Sequence, residues 1–262
     1  MKHLVKKYVK ASEVSDEAVG DFKNSPIDEK ALADVARTKL DGYNAFALTA
    51  DNHIVQTFRY INGEDVYLFT EPDPIIIYFD TSIHFHKTIA KQKKELFAKL
   101  SSPKDNFFKA VNGDFYWYFS TVCNFVIFLF LSIEAFINKS IPLDFEYRKQ
   151  IQNKKTELYN KFQIQRHIEF LEKIKYVLPE ATGNNFVKEF SHKYEHLKKL
   201  KEFRDEIIHT KSFEDKGTPN LYQDLFVMSL EFEFDKTLFA ARDFINYYQP
   251  NLIEECNCGR ED

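Results

Sequence analysis

The residues best suited to chemistry lie in the stretch Leu197-Lys-Lys-Leu-Lys-Glu-Phe-Arg-Asp-Glu-Ile-Ile-His209, where an arginine and a histidine are separated by four residues. A guanidinium is the side chain of choice for a phosphate group. An imidazole changes charge near neutral pH. The positions sharpen the reading. At 100° per residue, Phe186, Phe190, Tyr194, Leu197, Leu200, Ile207 and Ile208 form one apolar stripe. Arg204 falls close to its centre, with Asp205 and His209 toward one edge. An ion on an apolar face needs a partner, because an isolated buried charge is too costly. Between Asp114 and Lys139 the only charged residue is Glu134. Two readings stay open. Arg204 and Glu134 form a buried pair that fixes helix register, or Arg204 holds an anion in a groove with His209 in reach.

Other constellations carry less. His84 and His86, with Asp80 nearby, would face one side of an extended segment as metal ligands, but no third firm ligand is evident. Cys256 and Cys258 are close enough to chelate, again without further ligands, and a mobile reduced tail is the alternative. Cys123 reads as a small core residue. His192 and His196 lie across the helix from Asp205, as surface residues or a secondary phosphate contact. There is no phosphate-binding Gly-rich loop, HExxH zinc motif or serine nucleophile elbow, so P-loop hydrolysis and serine hydrolase chemistry have no support. No cofactor and no metal is expected.

These residues must be positioned by a fold, and composition bounds it. The chain has 262 residues, 44% hydrophobic and 29% charged, enough for a buried core. Seven Gly and eight Pro argue against turn-dense all-β folds, and three Cys against a disulfide framework. A net charge of −4 excludes nucleic-acid binding by bulk positive charge, so any such binding uses a local patch. Residues 146–211 carry 15 basic and 10 acidic side chains and four His, against 4 basic and 11 acidic over 212–262. The most basic segment therefore contains the Arg204 stretch.

The start of the chain has no apolar run of the secretory kind, which gives a cytoplasmic expectation. From Phe115 to Ile133 nineteen residues carry no charge, near the length of a membrane span. Glu134 follows directly and no Lys/Arg cluster flanks the run. The reading is a buried central helix and no membrane partner. Residues 1–40 look helical, with Ser25-Pro26 as a helix start. His53–Ile61 and Val66–Thr70 flank Asn62-Gly63-Glu64-Asp65, an Asn-Gly hairpin signal. Ile75–Phe79 reads as a third short strand, and 82–100 as helix. After that, Ser102-Pro103 is a capped helix start, and Gly113-Asp114 opens the apolar helix, which runs to about Asn138; further helices cover about 150–178 to Pro179, about 185–210, and Thr218-Pro219 to Pro250. Thr182-Gly183-Asn184 is a turn with a cap. The expected fold class is mainly α: a helical bundle over 101–250, behind a small α+β region over 1–100, with an acidic tail over 251–262.

The Arg204–His209 segment resembles the signature helix of the HEPN superfamily (higher eukaryotes and prokaryotes nucleotide-binding): an Arg, an adjacent polar residue and a His four to six residues on. Asp205 stands where the family often has Asn, which puts a negative charge near the phosphate site. Ser132-Ile-Glu-Ala-Phe-Ile-Asn138 with Ile141-Pro142 is similar to a helix end of bacterial members, and Pro179-Glu-Ala-Thr-Gly183 to their inter-helix turn. The resemblance spans about 105–248 and implies a HEPN-like helical bundle. It implies a metal-independent endoribonuclease acting as a homodimer, with Arg204, Asp205 and His209 catalytic and Glu134 in a supporting ion pair. Lys193, Lys198, Lys199, Lys201 and Lys211 would track an RNA backbone, or else are surface charge, and aromatics would stack on bases or fill the core. A bacterial toxin or antiphage effector is the implied setting, with room for an antitoxin or regulatory partner protein. The family also holds inactive, nucleotide-binding and interaction members, which is the second expectation.

Overall fold

The computed structural model describes residues 4–5, 11–13, 45–48, 53–101, 107–151, 155–209 and 222–256. The chain is mainly helical and divides into two compact units, Lys6–Pro74 and Ile75–Asp262 with Met1–Val5. The boundary expected at residue 100 falls at 74/75, because residues 74–100 are one amphipathic helix whose buried face belongs to the bundle.

In the smaller unit, β1 (Ala11–Glu13), β2 (Ala45–Leu48) and β4 (Asp65–Thr70) all pair antiparallel with β3 (His53–Asn62). Ala11–Glu13 is thus strand where helix was expected; Ser25-Pro26 lies outside the described residues. Asn62 pairs with Asp65, so the two-residue turn is Gly63-Glu64, one residue beyond the Asn-Gly signal. Gly63 has φ +64° and Glu64 has a negative φ, which fits the turn type that takes Gly first. Phe58, Tyr60, Tyr67 and Phe69 share one face of this pair as cross-strand neighbours. All four are roughly half exposed, with Phe58 and Phe69 stacked at 5.7 Å.

The larger unit begins with α1 (Pro74–Leu100). The expected strand over Ile75–Phe79 is its first turn. A short continuous apolar run does not distinguish strand from buried helix. Here Pro74 opens the helix, where its missing N–H costs nothing. Ile75, Ile76, Phe79 and Ile83 then recur at helical spacing on the buried face. α2 (Phe107–Ser140) is the central helix. Tyr118, Val122, Phe125, Leu129, Ile133, Phe136 and Ile137 are buried along it, and Ser132 donates to the Ile75 carbonyl at 2.8 Å. Residues 112–140 are apolar and long enough to cross a membrane, at mean hydropathy 2.0, but 56% of the most apolar window is buried inside the protein. The expected start at Ser102-Pro103 lies outside the described residues, and Gly113-Asp114, expected to open the apolar helix, lie inside α2, which is already helical from Phe107.

The first part of the helix expected over 150–178 is absent among the described residues. In its place a hairpin of β5 (Glu146–Ile151) and β6 (Lys155–Asn160) leads into α3 (Lys161–His167) through a reciprocal cap between Asn160 and Gln163. A continuous helical stretch follows: α4 (Phe170–Glu172), a π turn (Lys173–Val177) and α5 (Leu178–Thr182). Pro179 sits inside this stretch rather than ending it. The Leu178 N–H already reaches back five residues to Lys173, so the ordinary ladder is interrupted before the proline. Gly183, at φ +76°, closes the helix as a left-handed cap.

The third expected helix is split at Phe190 into α6 (Phe186–Glu189) and α7 (Ser191–Ile208). The fourth is split at Phe232-Glu233 into α8 (Gln223–Glu231) and α9 (Phe234–Tyr248); Thr218-Pro219 lies outside the described residues. The last carbonyls of α8 accept from side chains, Ser229 from the Tyr118 hydroxyl at 2.6 Å and Leu230 from Lys93. α7 packs on α9 and α2, and Phe244 meets Phe186 and Phe136 edge-on at 5.1 and 6.0 Å. The expected acidic tail is partly docked: Ile253 is buried, and Glu255 bridges to Leu4.

Candidate functional site

The candidate site is the C-terminal end of α7. Leu197, Leu200 and Phe203 carry the buried face of this helix, and Ile208 is half exposed. The stripe is therefore rotated from the expected one toward Phe203. Arg204 lies on its flank, with 27% of its side chain exposed. Its guanidinium carbon sits 4.5 Å above the centre of the Phe130 ring of α2, and its Nη1 donates to Asp205 Oδ1 at 2.9 Å. The other Asp205 oxygen meets Lys201 Nζ at 2.7 Å. Burial alone would raise the Asp205 carboxyl. The hydrogen bonds and charges of Lys201 and Arg204 outweigh it, so the group titrates below its usual range. In return, the bond to Asp205 raises the Lys201 ammonium.

His209 is exposed at the helix terminus, and its backbone N–H donates to the Asp205 carbonyl at 2.8 Å. The end of α7 thus carries a braced guanidinium, an ionised carboxylate and an exposed imidazole.

Glu134 is not the partner of Arg204. Its ion pair is with Lys173 Nζ at 3.9 Å. Arg204 satisfies itself with its own neighbour Asp205 and a ring of α2, one turn before Glu134. Lys173 is 1% exposed. It donates to the Gln165 carbonyl at 2.9 Å and to Asn138 Oδ1 at 3.3 Å. Glu134 and Asn138 of the Ser132–Asn138 stretch are thus spent on a buried lysine. Sequence reasoning passed over Lys173, although the signal was there. Phe170, Ile174 and Val177 make a stripe, and Lys173 lies on it, as Arg204 lies on its own.

The lysines of α7 face carboxylates. Lys198 meets Glu195 at 2.9 Å, Lys199 meets Glu233 at 3.1 Å, and Lys193 meets Asp243 at 2.8 Å. Lys211 lies outside the described residues. Glu233 accepts from both Lys236 and Lys199, which pull its carboxyl down to about 2. His196 is mostly buried and its Nδ1 has no hydrogen bond. Burial holds it below the usual imidazole range, against the pull of Glu233. His192 is exposed.

His84 and His86 stand on helix α1, not on an extended segment, and point to different sides. His84 is exposed, whereas His86 packs on Phe125 at 5.8 Å and its Nε2 meets Asp235 at 2.9 Å. Cys258 lies outside the described residues. Among the described residues no group of three or more His, Cys, Asp or Glu could hold a metal ion. Cys123 is half-buried on α2, and burial pushes its thiol up to about 11.

Beside the site, two cavities of about 490 and 400 Å³ run between α7 and α8 and share Glu202, Asp224 and Met228. Asp205 lines the second. Neither is lined by Arg204 or His209. In comparisons with known proteins, no family model, no curated protein and no solved structure matched this chain.

Proposed function

We propose that the end of α7 is the RNA-cleaving site of a HEPN-like, metal-independent endoribonuclease that works as a homodimer in the cytoplasm, as a bacterial toxin or antiphage effector. The carrying observation is the brace on Arg204. The Phe130 ring and Asp205 fix its guanidinium while 27% of the side chain stays exposed, and His209 is exposed just beyond. In the proposed reaction His209 takes the proton of a ribose 2′-OH, whose oxygen attacks the adjacent phosphorus. The 5′ oxygen leaves and takes up a proton, from the imidazolium of the same or the partner copy. Arg204 stabilises the charge that grows on the phosphate oxygens. The products are a 2′,3′-cyclic phosphate and a 5′-OH end. A second copy would add a second Arg204 and His209 across a two-fold axis.

The test uses purified protein, total RNA or tRNA, and EDTA. Cleavage with cyclic-phosphate ends is expected. Arg204→Ala and His209→Ala each lower it by at least ~100-fold with the elution volume unchanged. Cleavage at the original rate by His209→Ala rules the reading out.

A second reading, a non-catalytic interaction module, is favoured by one observation. Lys198, Lys199, Lys201 and Arg204 each face a carboxylate rather than an open groove. It expects no cleavage by any variant.

A further inference from the structure

We propose that the groove between α7 and α8 docks a cationic, amphipathic helical segment of a partner protein. Its floor is apolar: Val227, Met228 and Phe232 line it, and Val227 is 40% exposed. A methionine in a groove floor adapts to irregular apolar side chains. Its walls are acidic. Glu233 and Asp205 are already matched by Lys199, Lys236, Lys201 and Arg204. Glu202 of α7 and Asp224 and Glu231 of α8 have neither an ion pair nor a hydrogen bond among the described residues. Five carboxylates thus meet four cations, and the three carboxylates without an ion pair favour a cation-bearing occupant.

The spacing defines that occupant further. Asp224, Met228 and Glu231 stand at i, i+4 and i+7 on α8, which puts the two carboxylates about 10 Å apart along the axis with the thioether between them. A helix with Lys or Arg seven residues apart, and Leu-type side chains at the i+3 and i+4 positions between them, matches this order. The groove continues into the second cavity through Glu202, Asp224 and Met228, so it offers room for more than one such side chain. None of the three unmatched carboxylates belongs to the proposed cleavage site, and the inference does not depend on RNA cleavage.

The probe is a fluorescein-labelled helical peptide of roughly fourteen residues, with Lys and Leu in that i, i+3, i+4, i+7 order. It is titrated into the full-length protein at about 150 mM salt. Saturable binding is expected, with carbodiimide cross-links from its lysines to Glu202, Asp224 or Glu231. The combined variant Glu202→Gln, Asp224→Asn, Glu231→Gln weakens it at least ~10-fold. The control Glu64→Gln, Asp65→Asn, Glu180→Gln removes as much charge elsewhere and leaves the affinity unchanged, and a peptide with Glu in place of Lys does not bind. Absence of saturable binding, equal loss in both variants, or cross-links confined to other carboxylates overturns the proposal.

Discussion

Arg204 and Lys173 pose the same physical problem, a cation on an apolar helix face, and the protein solves it in two ways. Arg204 keeps part of its side chain in water and leans its guanidinium on Phe130 and Asp205. Lys173 is sealed and satisfied by a carbonyl, an amide oxygen and the half-buried Glu134. Burial holds the Lys173 ammonium below its ordinary range, and Glu134 recovers only part of the loss. Breaking such a site differs from replacing it. Lys173→Ala leaves a cavity and three unpaired polar groups, and is expected to cost about 3 kcal/mol in urea unfolding. Lys173→Met fills the space and is expected to cost less than half of that. Equal losses would show that packing, not the polar cage, sets the stability. His86 supplies a pH-dependent contribution. Burial lowers its pKa, and Asp235, 79% exposed and screened by water, raises it by less. The unfolded chain therefore binds the proton more readily than the folded one. Stability falls as pH drops below 6.5 toward the lowered folded value. His196, also lowered by burial, adds a contribution of the same sign. Urea midpoints at decreasing pH check this, and His86→Gln is expected to flatten the slope.

At the scale of elements, Gly183 isolates a purely conformational effect. Nothing lies within 4 Å of where its Cβ would be, yet φ is +76°. Gly183→Ala is therefore expected to cost roughly 1 kcal/mol of thermal stability through backbone strain alone, with no change in packing around α5. That cap was legible in the sequence, as were the β3–β4 hairpin and the long central helix, since each rests on local chemistry: a glycine, an alternating run, an uncharged stretch. What could not be read depends on distant partners. The Gly63-Glu64 turn is shifted by one residue because the β3–β4 register, not the Asn-Gly pair, selects it. Ile75–Phe79 is helical because α2 offers the surface and the Ser132 hydroxyl that bury it. The β5–β6 hairpin has only two strands and little apolar alternation; Tyr147 and Lys149 reach across to Glu172, a partner that is in place only once the helices are assembled. For the candidate site, the sequence showed that Arg204 needs a partner, but named Glu134. The nearest carboxylate was the adjacent residue, and the remaining contact was an aromatic face, which has no charge signature.

For the whole molecule, the question is what an apolar helix of bilayer length does. Packing answers for one side of α2: Tyr118, Val122, Phe125 and Phe136 are fully or almost fully buried. Toward its N-terminal end the other side carries Tyr116 and Trp117, and Trp117 is 72% exposed. Trp117 is the only tryptophan in the chain, so its fluorescence reports this face alone. A bundle with α2 at its centre predicts red-shifted emission, open to iodide quenching, and recovery of the protein without detergent. A membrane span predicts blue-shifted emission, shielded from iodide, and loss of the protein when detergent is withheld. A homodimer that covers this face would give a third pattern, red-shifting on dilution as the copies separate. A homodimer joined only at the end of α7 would leave the emission independent of concentration. One dilution series, read beside the elution volume, therefore tests the role of α2 and locates the face through which two copies meet.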